Sequence, residues 1–377
     1  MHCIIKCFMI MPSARTHRFL TSKPMKALYT TTLLLLLVGL GKLVVVNTDI
    51  FNPLQTALGQ FHFSDIYFHW HRDHSADVES DIVLVDIQYL HDREEIATLI
   101  DSINAYHPRV VALDVIFPPA VSLDPVADSH LAAAVMACSR VVLAQNAVPK
   151  VDGTWSMERS FFVEGELFAS SRNRLQGVVN LPVSVVRTAE STFTFGDTVL
   201  PTLSAQVALL CGHNSKGGTL IDFGGRNILV WTVGAEDFYM SGLEDKIVFV
   251  GDMGDLRDFH NIPVGNGGQS RVSGTEIQAL SAAALLSPNP YRNLSKGLAI
   301  VLQVVLLYLF CWLLHWLPQT MDNWICGALQ ILFMVLLLPL CYILFVSAHL
   351  IISPTLAIIG FGLAGLAKNI TDAIIKD

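Results

Sequence analysis

DIVLVD at residues 81–86 and RVVALDVIF at 109–117 are two short apolar runs, and in each an acid follows the aliphatic core. Apolar runs this short, bounded by polar residues, are the pattern of strands buried on both faces. Between them, DREEIATLIDSINAY (92–106) sets Ile96, Leu99, Ile100 and Ile103 at i, i+3, i+4 and i+7, one apolar helix face. Asp92, Glu94 and Glu95 occupy its first turn, where the helix dipole favours negative charge. A second helical pattern at 124–138 leads into a third buried run, RVVLAQ at 140–145. Strand–helix–strand–helix–strand at this spacing implies parallel strands joined by right-handed crossovers. Farther along, 200–211 has a helical pattern, 219–223, 227–233 and 245–251 (DKIVFVG) read as strands, and 273–286 as an alanine-rich helix. The expected fold is an α/β domain with a mainly parallel sheet, and its roughly 250 residues can bury a core without disulfides.

What flanks this domain is different in kind. Residues 1–26 hold Lys6, Arg15, Arg18, Lys23 and Lys26 and no acid, and 27–46 (ALYTTTLLLLLVGLGKLVVV) are apolar over a length that crosses a hydrocarbon core. Lys42 lies near the far end, where its stem can snorkel to the headgroups. Translation from Met25 would make this run resemble a signal peptide, but no small-x-small site follows at 43–47, so an uncleaved anchor is expected. At the other end, 297–316, 324–346 and 350–367 are three further apolar stretches, with Asp322 the only charged residue from 297 to 367. Trp312, Trp316 and Trp324 bracket the first turn, as interfacial aromatics do. Pro339 and Pro354 are tolerated in packed membrane helices, and Gly360 with Ala364 forms a small-xxx-small face for helix packing, the expected docking surface for a partner.

Four transmembrane helices, one before and three after the domain, return both termini to the cytoplasm. Residues 1–26 and the tail 368–377 are then cytoplasmic, and 47–296 lie outside. Arg292 and Lys296 on the outer side, and a first hairpin turn without Lys or Arg, run against this orientation; the basic N-terminus outweighs them.

Composition excludes several classes. The chain is 52% hydrophobic and only 15% charged, with mean hydropathy +0.50, too apolar for an ordinary soluble or a disordered chain. Residues 47–296 carry 29 acidic and 16 basic side chains, so the large polar segment is acidic and offers no footprint for nucleic acid. No phosphate-binding loop or G-x-S-x-G elbow occurs, and Gln88 stands where an Asp-x-Asp phosphotransfer pair starting at Asp86 would need its second carboxylate. The chain is therefore not expected to be an enzyme or to carry a cofactor. His62, His69, His71 and His74 with Asp65, Asp73 and Asp77 form the densest metal-capable stretch, but their spacing matches no standard metal signature, and a packing segment is the expectation. Cys138 and Cys211 are the only cysteines of the outer segment, and the sequence leaves open whether they form a disulfide.

The candidate site is acidic. Asp86, Asp114 and Asp252 each follow an apolar strand run, and Asp255 and Asp258 lie in the loop after the third. If those strands are parallel neighbours, their carboxyl ends line the crevice where open α/β sheets bind ligands. Such acids can hold a cation or basic ligand, or they can cap loops and helices.

The order IVLVDI (82–87), Arg93 with Ile96 and Leu99, VVALDVIF (110–117), Asp128 with Leu131, and VVLAQ (141–145) continues through GVVNLP (177–182) and VVRT (185–188). It ends with DKIVFVGDMGDLRDFHNIP (245–263) and SGTEIQAL (273–280), ahead of the apolar C-terminal stretches. Together these resemble the type-two CHASE domain, an extracytoplasmic sensory domain of bacterial receptors preceded by one membrane helix and followed by three. The resemblance spans about residues 50 to 370. It departs at Gln278, which stands where the family's Gly-x-x-x-His-Ala pattern, here beginning at Gly274, has its histidine. Family members usually continue into a cyclase, kinase or phosphatase, whereas this sequence runs only to Asp377. The resemblance thus implies a sensor in the cell inner membrane, with a homodimer the common arrangement of such receptors. It would take an unidentified small ligand or envelope component and signal through its helices to a separate output protein. A non-sensory scaffold or assembly subunit is the alternative.

Overall fold

The structure is a computed structural model. It describes residues 21–46, 78–118, 124–164, 171–214, 216–223, 227–234, 241–263, 271–317 and 323–375. The chain divides into two compact units, one spanning Leu58–Pro290 and the other combining the N-terminal helix with the chain from Tyr291 onward. The histidine-rich stretch at 62–77 lies outside the described residues.

In the chain order of the Leu58–Pro290 unit, the elements are β1 (Val78–Asp86), a helix Arg93–Asn104, β2 (Val110–Leu113), a helix Pro125–Ala137, β3 (Val141–Pro149), β4 (Trp155–Glu158) and β5 (Arg174–Val178). Then come β6 (Thr188–Ala189), β7 (Thr192–Phe195), β8 (Thr198–Pro201), a helix Leu203–Leu210, β9 (Thr219–Leu220), β10 (Asn227–Thr232), β11 (Ile247–Gly251), β12 (Phe259–Asn261), β13 (Arg271–Ser273) and a helix Gly274–Leu286. Counting the N-terminal helix Lys23–Val46 as α1, these four helices are α2 to α5 in chain order. The main sheet has seven strands in the order β10-β1-β11-β2-β3-β4, with β5 pairing parallel to the first half of β3 and β4 antiparallel to its second half. All its other pairings are parallel.

Strand side chains alternate between two cores, as the period of two requires. Val83 and Val85 of β1, Val111 and Leu113 of β2 and Val248 and Val250 of β11 pack against Ile96, Leu99, Ile100 and Ile103 of α2 and Leu131 and Val135 of α3. Ile82, Leu84, Val110, Ala112, Ile247 and Phe249 point the other way, onto Leu203 and Val207 of α4 and Ala279, Ala282 and Ala283 of α5. Each fully buried Val, Leu, Ile or Phe contributes about 1.5–3 kcal/mol, so both faces are heavily committed. Caps set the helix starts: Asp92 accepts from Glu95 N, Asp124 from Val126 N and Ala127 N, Thr202 from Ala205 N, and Ser273 from Glu276 N.

Some boundaries differ from the sequence reading. The helix expected from residue 200 begins at Leu203, because Thr198–Pro201 pairs with Thr192–Phe195 as a hairpin and Thr202 is the cap. The strand expected from Asp245 begins at Ile247, because Asp245 takes a left-handed turn conformation with φ 56°. Cys138 packs in the core beside α2 and α3, whereas Cys211 packs against the core on the opposite face of the sheet. Both are free thiols, and burial pushes the Cys138 thiol up to about 11.

The other unit contains α1, α6 (Lys296–Trp316), α7 (Asn323–Ala348) and α8 (Thr355–Ile374). Among the described residues, three helices are long and apolar enough to cross a membrane: Gly297–Trp316, Trp324–Ala348 and Thr355–Ile374. The last begins after residue 350, because Leu350–Ile351 (β15) pairs with Arg292–Asn293 (β14) and Pro354 precedes the first turn. It also continues past 367, through Lys368 and Asp372, which form an i,i+4 ion pair at 2.9 Å. Ala27 and Leu34 of α1 share a buried cluster with Leu307, Phe310 and Leu314 of α6 and Ala357, Phe361 and Ala364 of α8. Phe310, Phe333 and Phe361 bring α7 onto the same cluster. Gly360 faces the Leu307 side chain and Ala364 is fully buried. The small-residue face is therefore filled by α6 of the same chain, and a docking partner would need another surface. His315 lies 2.9 Å from the Thr30 hydroxyl and 3.6 Å from the Asp372 carboxylate, so polar side chains link α1, α6 and α8.

Candidate functional site

β1, β11 and β2 lie side by side and parallel, with Asp86 opposite Gly251 and Val250 opposite Leu113. Asp86, Gly251–Asp252 and Asp114 therefore stand along one carboxyl edge. After β1 and β2 the chain enters helices on one face of the sheet, and after β11 it enters α5 on the other. Adjacent strands that hand their chains to opposite faces leave a crevice at that edge, the usual ligand position in open α/β sheets.

The five expected aspartates divide within this crevice. Asp86 is 2% exposed, and its carboxylate accepts from Gln88 N, Gln88 Nε2, Met253 N and Thr232 Oγ1. It ties the ends of β1, β10 and β11 together and has little capacity left for a ligand. Asp252 accepts from Gly254 N at 2.8 Å and so closes its own turn. Asp255 caps a short 3-10 turn at Leu256–Asp258 and pairs bidentately with the exposed Arg257, which holds the Asp255 carboxyl below its ordinary value.

Asp114 and Asp258 form the remaining cluster, and they recruit residues that sequence reasoning missed. Asp258 accepts from Gly274 N at 3.1 Å, the first N–H of α5, and lies 3.3 Å from His260 Nε2. A Cβ at position 274 would meet Asp258 Oδ2 at 2.4 Å, so glycine is required for this carboxylate to reach the helix end. Unpaired N–H groups and the helix dipole favour negative charge there. Asp114, at the end of β2, is pushed up to about 7, chiefly by loss of water around it; the Thr275 hydroxyl opposes the shift, Asp258 adds to it and His260 opposes it. The crevice thus pairs a carboxylate seated on a helix end with a carboxyl that changes charge near neutral pH, an arrangement that suits proton or cation sensing. The sequence predicts the helix at 273–286. Which strand end that helix would meet depends on the sheet order, which no local signal carries.

A pH dependence follows. Asp114 keeps its proton in the folded domain up to about 7 but loses it near 3.8 when unfolded. Stability therefore falls as pH rises from about 4 to 7 and levels off above. Asp114→Asn is expected to flatten that slope, leaving stability unchanged near pH 4 and raising it on the order of 2 kcal/mol at pH 8, a figure reduced for partial solvent screening. Denaturant titrations of both proteins across this range check it; parallel pH slopes would contradict the assignment.

Gln278 takes a structural part where the resemblance places histidine. Its Oε1 accepts from Ser204 Oγ at 2.6 Å and its Nε2 donates to Val179 O at 3.1 Å, joining α5 to α4 and to the end of β5. Among the described residues no group of three or more His, Cys, Asp or Glu is placed to hold a metal ion.

An acidic crevice on a mainly parallel α/β sheet, in a chain that also carries three membrane-length apolar helices among the described residues, places the protein among membrane proteins with an α/β domain. The sequence matches the CHASE2 domain over residues 32–317, and the chain belongs to that family. CHASE2 domains are sensory extracellular domains, and this is a membrane protein that carries one. No curated protein and no solved structure matches the chain.

Proposed function

We propose that this protein is a membrane-bound extracytoplasmic sensor with no catalysis of its own, passing its signal through the membrane helices to a separate output protein. The observation that carries this reading is the CHASE2 match, which runs from the N-terminal helix across the α/β domain into the first C-terminal helix. The same chain segment therefore contains a sensory domain and the helices on both sides of it. The polar link from Thr30 through His315 to Asp372 supports the route, because a shift of α1 alters the packing of α6 and α8 directly. In this reading α1 is a fourth span, both termini are cytoplasmic, residues 47–296 lie outside the inner membrane, and Asp114 and Asp258 are the acids that meet a stimulus.

The test is crosslinking and affinity capture of the intact protein from its native membrane at native expression. Reproducible recovery of a kinase, cyclase or phosphatase, lost when His315→Ala breaks the polar link, is the expected result. Recovery of envelope proteins alone would replace the sensor with a scaffold.

A further inference from the structure

A cavity of about 400 Å³ lies in the α/β domain between the segment 180–194 and the helices α4 and α5. Its size is at the lower end of small-molecule sites, which run from about 300 to 1,000 Å³. The lining is unusual in chemistry: seven of its fifteen residues carry hydroxyls, two carry side-chain amides, and Arg187 and Glu190 contribute one charge of each sign. Leu181, Pro182, Val185 and the ring of Phe193 add a substantial apolar face to this polar lining.

The floor is rigid and polar. Ser204 is 1% exposed and Gln278 4% exposed, and they hydrogen-bond to each other. The Ser204 proton is engaged with Gln278, which leaves its oxygen able to accept. Ser281, one turn farther along α5, is only 5% exposed and lines the cavity. At the rim, Glu190 is exposed and has no ion-pair partner among the described residues.

We propose that this cavity binds a small neutral polyhydroxylated molecule of the sugar class, one or two rings in size. Ser and Thr hydroxyls both donate and accept, matching ligand hydroxyls that do the same. A carboxylate accepts from ligand hydroxyls and makes the strongest bonds of such a set. An aromatic ring receives the C–H face of a sugar ring. A purely apolar ligand would strand the hydroxyls, and balanced charge in the lining does not select an anion. The cavity wall is also tied to the crevice, since Val186 N donates to Asn261 O at 2.8 Å, next to His260. Occupancy would therefore supply a stimulus for the proposed sensor. The binding claim rests on that reading only for its biological meaning, and is tested by binding alone.

The experiment uses the full chain purified in detergent, titrated by calorimetry and thermal shift with glucose, galactose, N-acetylglucosamine and maltose. The twenty amino acids serve as a comparison panel, and glycerol as a control for bulk solvent effects. Saturable binding of at least one sugar is expected. Glu190→Ala should weaken it about tenfold or more, and Ser281→Ala several-fold, with little change in the melting temperature of the free protein. Silence from every sugar overturns the proposal, as does binding of amino acids alone, or sugar binding that neither substitution alters. Failure to recover an output partner leaves these binding results unaffected, so the two proposals fail separately.

Discussion

Gly177→Ala is expected to destabilise the α/β domain by about 3 kcal/mol, among the largest effects of any single methyl group in the protein. Gly177 lies in β5 opposite Ala144, with the first turn of α4 directly upon it. A Cβ there would stand 2.3 Å from Leu203 Cα, 2.5 Å from Leu203 N and 2.7 Å from the carbonyl carbon of Thr202. All three are backbone atoms, so no rotamer change relieves the overlap. The helix would have to lift from the strand, breaking the bridge between Val178 and Thr202 and loosening Leu203, which is fully buried. At roughly 2–4 °C per kcal/mol for a domain of this size, the melting temperature should fall roughly 6–12 °C. A thermal melt of the full chain followed by circular dichroism reads this, and a fall under about 2 °C would mean that α4 sits farther from the sheet.

That contact also shows where sequence reading stops. The runs at 82–85, 110–113 and 141–144 were legible as buried strands because both faces of the sheet are covered by helices, which makes every side chain in the run apolar. The order of the strands was not legible for the same reason. β11 inserts between β1 and β2, although more than a hundred residues separate it from either, and its IVFVG differs in no local property from its neighbours. The short pairings of β6 with β9 and β7 with β8 were missed because elements of two to four residues carry no period to read. In the membrane unit, helix existence was legible from apolar length. The start of α8 was not, since the pairing of Leu350–Ile351 with Arg292–Asn293 is a contact between distant segments.

The site was legible in outline. Acids at the ends of three apolar runs pointed to the carboxyl edge of the sheet, and β1, β11 and β2 do stand there in a row. The division of labour among the acids was hidden, because it depends on which backbone N–H groups reach each carboxylate. Asp86 meets the N–H groups of Gln88 and Met253, and Asp258 meets that of Gly274. His260 of β12 and Thr275 of α5 joined the cluster through contacts between segments distant in sequence. The cavity beside α4 and α5 had no signal at all, since its hydroxyls are scattered from residue 184 to 281 and read in sequence as ordinary loop and helix positions.

Asp86 gives the second large effect and separates structural from ligand-binding carboxylates. Asp86→Ala should cost about 3–5 kcal/mol, because it leaves the buried N–H groups of Gln88 and Met253 without their acceptor while opening a small void. The loss falls on three strands at once, since Thr232 holds β10 and Met253 follows β11. Asp86→Asn keeps the shape and one oxygen, and the Thr232 hydroxyl can turn to accept from the new amide, so about 1–2 kcal/mol is expected. The graded series of wild type, Asn and Ala should appear as a graded fall in melting temperature, roughly 10 °C or more for Ala. A ligand-binding acid behaves otherwise: Asn would abolish the ligand response without lowering the melting temperature. Asp114→Asn is the matched control, since it removes an acid from the same edge and is expected to raise stability at pH 8. Opposite signs for the aspartates at the ends of β1 and β2 follow from their different surroundings. A stable Asp86→Ala protein would show that those four contacts do not hold the crevice together.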